Sequence, residues 1–354
     1  MNFLLFFSDQ VKNVSTSFRR ISSNSSSAQQ QQSTCSDRRF LRYTLKISDR
    51  FETTKFFCDI LGMNILRHED MDSGCSAQCN GNFESPWSKT VTSYGDEHSY
   101  FALELNYNYD VQGYKYGNDF ASITIHSRQA IINAQKFLDK SQMQSDSKSL
   151  VISSPDGHRI ILIDKDIEKD EDPVKCLSLN VYNLKKSTDY YTRLLNMTII
   201  EEESNKNRVR LSYNNLTTNE RSKYNFRLDN QCQLELIENK HPIDRGTGYG
   251  RAAFSCPVKD IDIIQNRIEK DGQKILISKM KLGRFLDFNK NTVVILSDPD
   301  EHEICFVGEE NYSVSCEIDS NAEDKCRKGL RQASKNPDKY EIGEDKSTKC
   351  EKNY

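Results

Sequence analysis

Residues 153–163 and 297–307 follow one pattern, SSPDGHRIILI and SDPDEHEICFV, in which a Pro-Asp turn precedes an apolar run. A second pair of segments aligns without a gap: KISDRFETTKFFCDILGMNIL at 46–66 and NVYNLKKSTDYYTRLLNMTII at 180–200. Each member of the second pair reads as strand, turn, amphipathic helix and strand. Because internal similarity of this kind is the signature of repeated structural units, the chain is expected to fold as a set of related modules.

The helices of the second pair carry matching start and stop signals. Phe56 and Ile60 fall four residues apart, which predicts a buried helical face. Gly62 is predicted to end this helix in a left-handed conformation, and Asn196 takes the same place in the second copy. These two positions therefore fix where each module turns from helix to strand.

Two further modules lie between and after these segments. Residues 120–125 read as a strand, and Ser127 is predicted to cap a helix whose buried stripe includes Phe137. Residues 251–256 read as a strand before a second helix that stops at Gly272. In the turn that follows, Glu301 replaces the glycine of the Pro-Asp-Gly turn, so this copy is predicted to be the more strained.

The chain is thus predicted to contain four strand–helix–strand–strand–strand units, near residues 40–110, 115–165, 174–240 and 248–308. The acidic stretch DKDIEKDEDP separates two units from two, which predicts one domain at 40–165 and another at 174–308. A single unit exposes an apolar face, so units must pair to bury it. The sequence leaves open whether the first unit pairs with the second or with the fourth.

The two ends differ from the repeats. Residues 1–39 are rich in serine and carry five Lys or Arg against two Asp, which favours a mitochondrial leader; the alternative is a disordered extension of a cytoplasmic protein. Residues 309–354 read as a polar tail, partly helical or disordered. The formal charge of -3 gives no indication of nucleic-acid or membrane-surface binding, and no apolar run is long enough to span a membrane.

Several segments carry a specific resemblance. FFCDILGMNILRHED, AQCNG, WSKT, YNYDVQGYKYGNDF, NQCQLELIE, GRAAFSCP and DPDEHEICFVG closely resemble the glyoxalase-domain-containing protein 4 family, in order, over roughly residues 40–308. That family lies in the vicinal-oxygen-chelate superfamily with glyoxalase I. The resemblance implies an α+β vicinal-oxygen-chelate fold, in which the four βαβββ modules pair into two cup-shaped mixed sheets.

In glyoxalase I-like cups, four inward side chains from the first and last strands of the modules hold a divalent ion, and these are His, Gln or Glu. The resemblance places Arg42, Glu104, Ser122 and Ile161 at these positions in the first half of the chain. Glu104 matches the metal-binding glutamate of such cups. The first half therefore keeps one carboxylate and has no imidazole at these places.

The second half places Cys176, Glu235, Arg251 and Cys305 at the same positions. An arginine in the ligand shell repels a cation, so we predict ion pairs of Arg42 with Glu104 and of Arg251 with Glu235 in place of a metal. No cofactor is expected; the alternative is a divalent metal such as zinc or nickel.

These residues predict a cup that binds a small molecule or a protein partner without glyoxalase I chemistry. The alternative is a lactoylglutathione lyase-like enzyme acting on glutathione hemithioacetals or related adducts, with Glu104 or Glu235 as base and an arginine holding the oxyanion. Whether the chain is an enzyme stays open at this point. The histidines add little, because His68, which lies in a polar segment, is expected to be solvated.

Overall fold

The computed structural model describes residues 38–145, 148–203, 205, 207–213, 231–282 and 291–335. The predicted leader therefore lies almost entirely outside the described residues, as does the end of the tail. All described residues fall within one compact unit.

The four predicted units are confirmed, because each contains one helix between its first and second strands. The first unit consists of β1 (Arg39–Lys46), α1 (Arg50–Lys55, continued by a π-helical turn Phe56–Ile60), β2 (Asn64–Met71), β3 (Trp87–Ser93) and β4 (Ala102–Asn108). The second consists of β5 (Phe120–His126), α2 (Arg128–Phe137), β6 (Met143–Ser145), β7 (Ser149–Ser153) and β8 (Arg159–Ile163).

The later units repeat this order. The third consists of β9 (Val174–Val181), α3 (Leu184–Asp189, continued by a π-helical turn Tyr190–Leu194), β10 (Thr198–Glu203), β11 (Arg208–Ser212) and β12 (Gln233–Glu238). The fourth consists of β13 (Arg251–Cys256), α4 (Val258–Lys270), β14 (Ile275–Leu282), β15 (Asn291–Ser297) and β16 (Glu303–Gly308).

Local sequence sets the ends of the helices as predicted. The Ser127 hydroxyl accepts a hydrogen bond from the backbone N–H of Ala130 and so caps α2. Gly62 has φ +80° and Asn196 has φ +60°, so both end their helical segments in the left-handed region. Glu301 also sits at positive φ, +68°, where Gly157 of the other copy has +86°. The second Pro-Asp turn is therefore strained, as the missing glycine predicts.

The strands form two eight-stranded mixed sheets, and the sheet order decides which units pair. One sheet has the order β14-β15-β16-β13-β1-β4-β3-β2 and the other β10-β11-β12-β9-β5-β8-β7-β6. The first unit therefore pairs with the fourth, through antiparallel β1 and β13, and the second with the third, through antiparallel β5 and β9. We call these the first–fourth sheet and the second–third sheet. The division into domains at 40–165 and 174–308 stays a prediction.

The main apolar core draws on both sheets and on the inner faces of the helices. Phe56 and Ile60 are buried there, which confirms the helical face predicted for the first unit. Phe137 of α2 is wrong as a core prediction, since 56% of it is exposed. It is the last residue of this ten-residue helix. The expectation that His68 is solvated is also wrong, since it lies on β2 and 4% of it is exposed.

The described part of the tail, residues 309–335, is largely helical, as one of the two predicted alternatives has it. It forms α5 (Glu309–Ser315) and α6 (Ala322–Lys335). Between them, the backbone N–H of Asp319 donates to the carbonyl of Leu66 on β2 at 2.9 Å, and α6 packs against the same strand. The tail therefore covers the edge of the first–fourth sheet. No described helix is long and apolar enough to cross a membrane.

Candidate functional site

A cavity of about 500 Å³ lies on one face of the first–fourth sheet. Its walls come from β1, β4 and β16, from the loop that carries Cys79, and from the tail. Charged side chains of both signs line it: Arg42, Arg67, Glu69, Lys89, Glu104, Glu317, Asp319 and Lys325. We call this space the Arg42 cavity.

Arg42 and Glu104 form the predicted ion pair in this cavity. The Arg42 Nε lies 3.3 Å from the Glu104 Oε2. β1 and β4 are parallel neighbours, with Thr44 directly beside Glu104, so the Thr44 hydroxyl donates to the Glu104 Oε1 at 3.3 Å. Asn106 Nδ2 donates to the same oxygen at 3.3 Å. The carboxylate is thus buried and held by three side chains of the strands beneath it.

Glu97 is a second carboxylate that pairs with Arg42, and no pattern in the sequence indicates it. It is fully buried; its Oε2 lies 3.6 Å from Arg42 Nη1 and accepts from the Tyr312 hydroxyl at 2.5 Å. Its Oε1 pairs with Arg67. Burial would raise the pKa of Glu97, but Arg67 and Arg42 outweigh it and lower that pKa. Glu97 was missed because it lies in the polar loop YGDEHSY, which has no periodicity to read.

The second predicted ion pair, Arg251 with Glu235, is wrong. Arg251 lies on β13 of the first–fourth sheet and pairs with Glu303, at 2.6 Å from Nη2 to Oε2. Its other donors bind the carbonyls of Ser76 and Ala77, at 2.8 and 3.0 Å. Arg251 therefore clamps the turn that forms one wall of the Arg42 cavity. The prediction failed because it matched positions within one half of the chain, whereas the units pair across the halves.

Cys305, by contrast, does lie in the Arg42 cavity with Arg42 and Glu104. The thiol is buried and donates to the backbone carbonyl of Phe306 at 3.8 Å. Burial raises the pKa of the Cys305 thiol to about 12. It is therefore protonated at neutral pH and does not present a thiolate.

Glu235 lies in the second–third sheet. Its Oε1 is 3.0 Å from Arg210 Nε, and its Oε2 accepts from the Ser178 hydroxyl at 2.7 Å. Ser178 stands beside Glu235 as Thr44 stands beside Glu104, so the two sheets repeat the hydroxyl–carboxylate pair. Its two arginine partners, Arg210 and Arg208, come from the neighbouring strand β11. Cys176 holds the place that Arg42 holds in the first–fourth sheet.

The remaining predicted residues share the second–third sheet with Glu235. Ser122 on β5 is buried next to Ser178, and Cys176 on β9 is buried with its pKa raised to about 12 by burial. Ile161 on β8 is partly buried. Their roles in ligand binding stay predictions, as do the catalytic roles of Glu104 and Glu235. Among the residues that the structure describes, no three His, Cys, Asp or Glu side chains are grouped to hold a metal ion.

The comparisons with known proteins agree with this architecture. Residues 183–314 match the family model of the glyoxalase domain-containing protein 4-like C-terminal domain. The chain is 38% identical over 284 residues to glyoxalase domain-containing protein 4 of Mus musculus, which covers 80% of this chain and 89% of the mouse protein. The chain belongs to the glyoxalase domain-containing protein 4 family. It is also 37% identical to glyoxalase 1 of Caenorhabditis elegans, over 83% of this chain and 96% of that protein.

Solved structures show the same fold. Glyoxalase I from Zea mays superposes with a TM-score of 0.59 at 18% identity, covering 79% of this chain and 95% of that one. A putative dioxygenase from Bacillus subtilis superposes with a TM-score of 0.54 at 12% identity, covering 82% of this chain and 96% of that one. The predicted α+β vicinal-oxygen-chelate fold is therefore confirmed. At these identities the likeness concerns the fold alone.

Proposed function

We propose that this glyoxalase-like protein binds a small molecule in the Arg42 cavity and does so without a resident divalent ion. One observation carries the proposal: the Arg42 guanidinium occupies the space beside the Glu104 carboxylate, 3.3 Å away. In a metal-binding cup that space belongs to the ion.

Electrostatics decides between the guanidinium and an ion. A unit charge 4 Å from a doubly charged ion costs about 8 kcal/mol at an effective dielectric near 20. The ion therefore binds only if Arg42 moves away. Arg42 is held from two further sides, by the Glu97 carboxylate and by the Tyr312 ring, whose centroid lies 5.6 Å from the guanidinium carbon. Moving it would leave Glu97 without one of its two cationic partners.

The other donors at the ligand positions do not fit a divalent ion either. A protein-bound ion of this kind takes about three protein ligands and an open position. At these positions the first–fourth sheet offers one carboxylate, Glu104, and one buried thiol, Cys305, whose raised pKa keeps it protonated. Arg251 is engaged with Glu303 and with backbone carbonyls. The residues at these positions therefore do not fit a divalent ion.

Without a metal, the cavity supports polar recognition. Arg42 presents a planar fork of N–H donors to the cavity, which suits a carboxylate or carbonyl oxygen of a ligand. Glu104 beside it accepts hydrogen bonds from a ligand hydroxyl or amide. The ligand class that this pair favours is a small polar molecule with an acidic or carbonyl group. A protein partner that inserts such a side chain would use the same contacts.

A second candidate function comes from the names of the relatives. Glyoxalase 1 of Caenorhabditis elegans matches most of the chain, and a lactoylglutathione lyase of Arabidopsis thaliana, GLX1, is 24% identical over 175 residues. These names favour a lyase acting on a glutathione hemithioacetal, with Glu104 as the base and Arg42 at the developing oxyanion. The geometry permits that reading, but the guanidinium stands where the metal of such a lyase would act.

One experiment separates the two functions. We expect the purified protein to contain less than stoichiometric zinc, nickel or manganese, and to give no turnover of the methylglyoxal–glutathione hemithioacetal with any of these ions added. Glutathione and S-lactoylglutathione are titrated by calorimetry in parallel. The matched variants are Glu104→Gln in the Arg42 cavity and Glu235→Gln in the second–third sheet. A bound ion with turnover that Glu104→Gln abolishes, and Glu235→Gln does not, would replace our proposal with the lyase.

A further inference from the structure

The side of the Arg42 cavity that comes from the fourth unit is apolar. Five residues of this unit line the cavity: Ala253 on β13, Leu282 on β14, Val293 on β15, and Cys305 and Val307 on β16. They belong to an apolar cluster that is separate from the main core, and Leu282 is the one that is only partly buried. We call these five residues the apolar wall.

The charges around the cavity are already paired with one another. Each of the four cationic side chains that line it forms an ion pair: Arg42 with Glu104, Arg67 with Glu97, Lys89 with Glu69, and Lys325 with Asp319. His68 also lines the cavity, and any charge on its ring is matched by Asp70, whose Oδ2 lies 3.4 Å from the His68 Nε2. Glu317 is one further carboxylate of the lining. Among the described residues of the lining, no cation is therefore left over for an anionic ligand.

Arg42 lies where the charged side meets the apolar wall. On β1 it stands directly opposite Ala253, which in turn stands opposite Cys305. Residues directly opposite each other on neighbouring strands share one face of the sheet, so the wall begins next to the guanidinium. Val307 and Val293, which also stand opposite each other, extend the wall to β15. That strand is three positions from β1 in the sheet, or about 14 Å at the usual strand spacing.

One nitrogen of Arg42 is available to a ligand. Nε lies 3.3 Å from Glu104 and Nη1 lies 3.6 Å from Glu97, whereas Nη2 has no hydrogen-bond partner among the residues that the structure describes. The Arg42 side chain is 17% exposed and lines the cavity. A ligand that places an oxygen at Nη2 therefore has the apolar wall beside its remaining atoms.

We propose, on the basis of the function proposed for this cavity, that its ligand is an uncharged carbonyl compound with a short apolar body. The carbonyl oxygen accepts a hydrogen bond from the Arg42 Nη2, and the apolar body lies on the apolar wall. A carboxylate would add a negative charge to a site whose cations are already paired. A ligand that is polar along its whole length would have its polar groups desolvated against the wall without hydrogen bonds.

A primary amide with an alkyl chain has the features that this site selects. Its oxygen can accept from Arg42, and its N–H can donate to the neighbouring Glu104 carboxylate. The cavity volume of about 500 Å³ lies within the range of small-molecule sites. Contact with the wall should tighten binding about fourfold for each methylene that it removes from water.

The test compares acetamide, butanamide and hexanamide with the carboxylates of the same chain lengths. Their dissociation constants for the full chain are measured by ligand-observed NMR titration. We expect hexanamide to bind about sixteenfold more tightly than butanamide, which has two methylenes fewer. Hexanoate should bind at least about fivefold more weakly than hexanamide, the effect of one like charge at 4 Å in water.

A pair of variants locates the apolar body. Val307→Thr keeps the shape of the wall and adds a hydroxyl, so the gain per methylene should fall below about twofold. Val151→Thr makes the same change on β7 of the second–third sheet and should leave the series unchanged.

The outcomes separate this ligand class from the function on which it rests. Equal binding of the three amides, tighter binding of hexanoate, or the same series in Val307→Thr as in wild type would overturn the uncharged amphipathic ligand and leave polar recognition by Arg42 in place. No binding of any amide or carboxylate would overturn both.

Discussion

Replacing Glu97 with glutamine should destabilise the protein far more than replacing any carboxylate at the rim of the cavity. Glu97 is fully buried between Arg42 and Arg67, and it accepts from Tyr312. Glutamine has nearly the same shape, so the change removes the charge and leaves the packing. Two largely buried guanidiniums then lose a common counter-charge.

The structure sets the size of the effect. At the 3.6 Å between Arg42 and Glu97, a unit pair is worth about 4–5 kcal/mol at an effective dielectric near 20. Removal of one partner of a buried ion pair typically costs about 3–5 kcal/mol, because the other charge stays buried. We expect Glu97→Gln to lower the free energy of unfolding by that amount. Glu317→Gln, an exposed carboxylate of the same cavity, should change it by less than about 0.5 kcal/mol.

Urea unfolding followed by circular dichroism measures the difference, and its pH dependence checks the cause. The folded-state pKa of Glu97 is lowered, so its stabilisation is complete above the unfolded pKa of about 4.3 and is lost as pH falls towards the folded value. The gap between wild type and Glu97→Gln should therefore stay constant from pH 7 to pH 5 and narrow below about pH 4.3. A gap under 1 kcal/mol at pH 7, or one that widens on acidification, would refute the ion-pair reasoning.

Substitutions in the two Pro-Asp turns should have opposite effects on the free energy of unfolding, measured in the same urea assay. Gly157→Ala, at φ +86°, should lower it by about 1 kcal/mol. Glu301→Gly, at φ +68°, should raise it by a similar amount. Burial lowers the pKa of Lys46 to about 8, so the charged form destabilises the folded state. Relative to Lys46→Met, wild type should therefore gain stability as the pH rises from about 8 to about 10.4. The absence of a gain in this range would contradict the burial argument. We propose that the leader directs the protein to mitochondria. Mass spectrometry of native protein from the mitochondrial fraction should then find its first residue within or just after residues 1–39. An intact Met1 in a cytosolic fraction would favour the alternative.

Much of the fold could be predicted because the residues that set the ends of helices and turns lie close together in the sequence and occur in more than one copy. Gly62 and Asn196 mark the same helix end in two copies, and both adopt positive φ. The Pro-Asp turns precede the last strand of the second and fourth units, as the sequence predicts. Such signals depend only on residues a few positions apart. Because the pattern occurs twice, the prediction for one copy supports the prediction for the other.

The pairing of units could not be predicted, because it depends on contacts between segments far apart in the chain. Arg251 illustrates the consequence. It forms an ion pair as predicted, but its partner is Glu303 and not Glu235. Glu97 was missed for a related reason. It lies in a polar segment without periodicity, and it becomes part of a buried cluster only when α5 brings the Tyr312 hydroxyl to it.

The pairing of the first unit with the fourth also bears on how the chain assembles. Arg39 lies beside Ser255, so the middle strands of one sheet come from opposite ends of the repeat region. Loop-closure entropy makes such distant contacts slow to form, whereas the second and third units are neighbours along the chain. During synthesis on a ribosome, the second–third sheet can fold while the first unit still has an unpaired strand edge. That exposed edge is an aggregation hazard until the last repeat has been made.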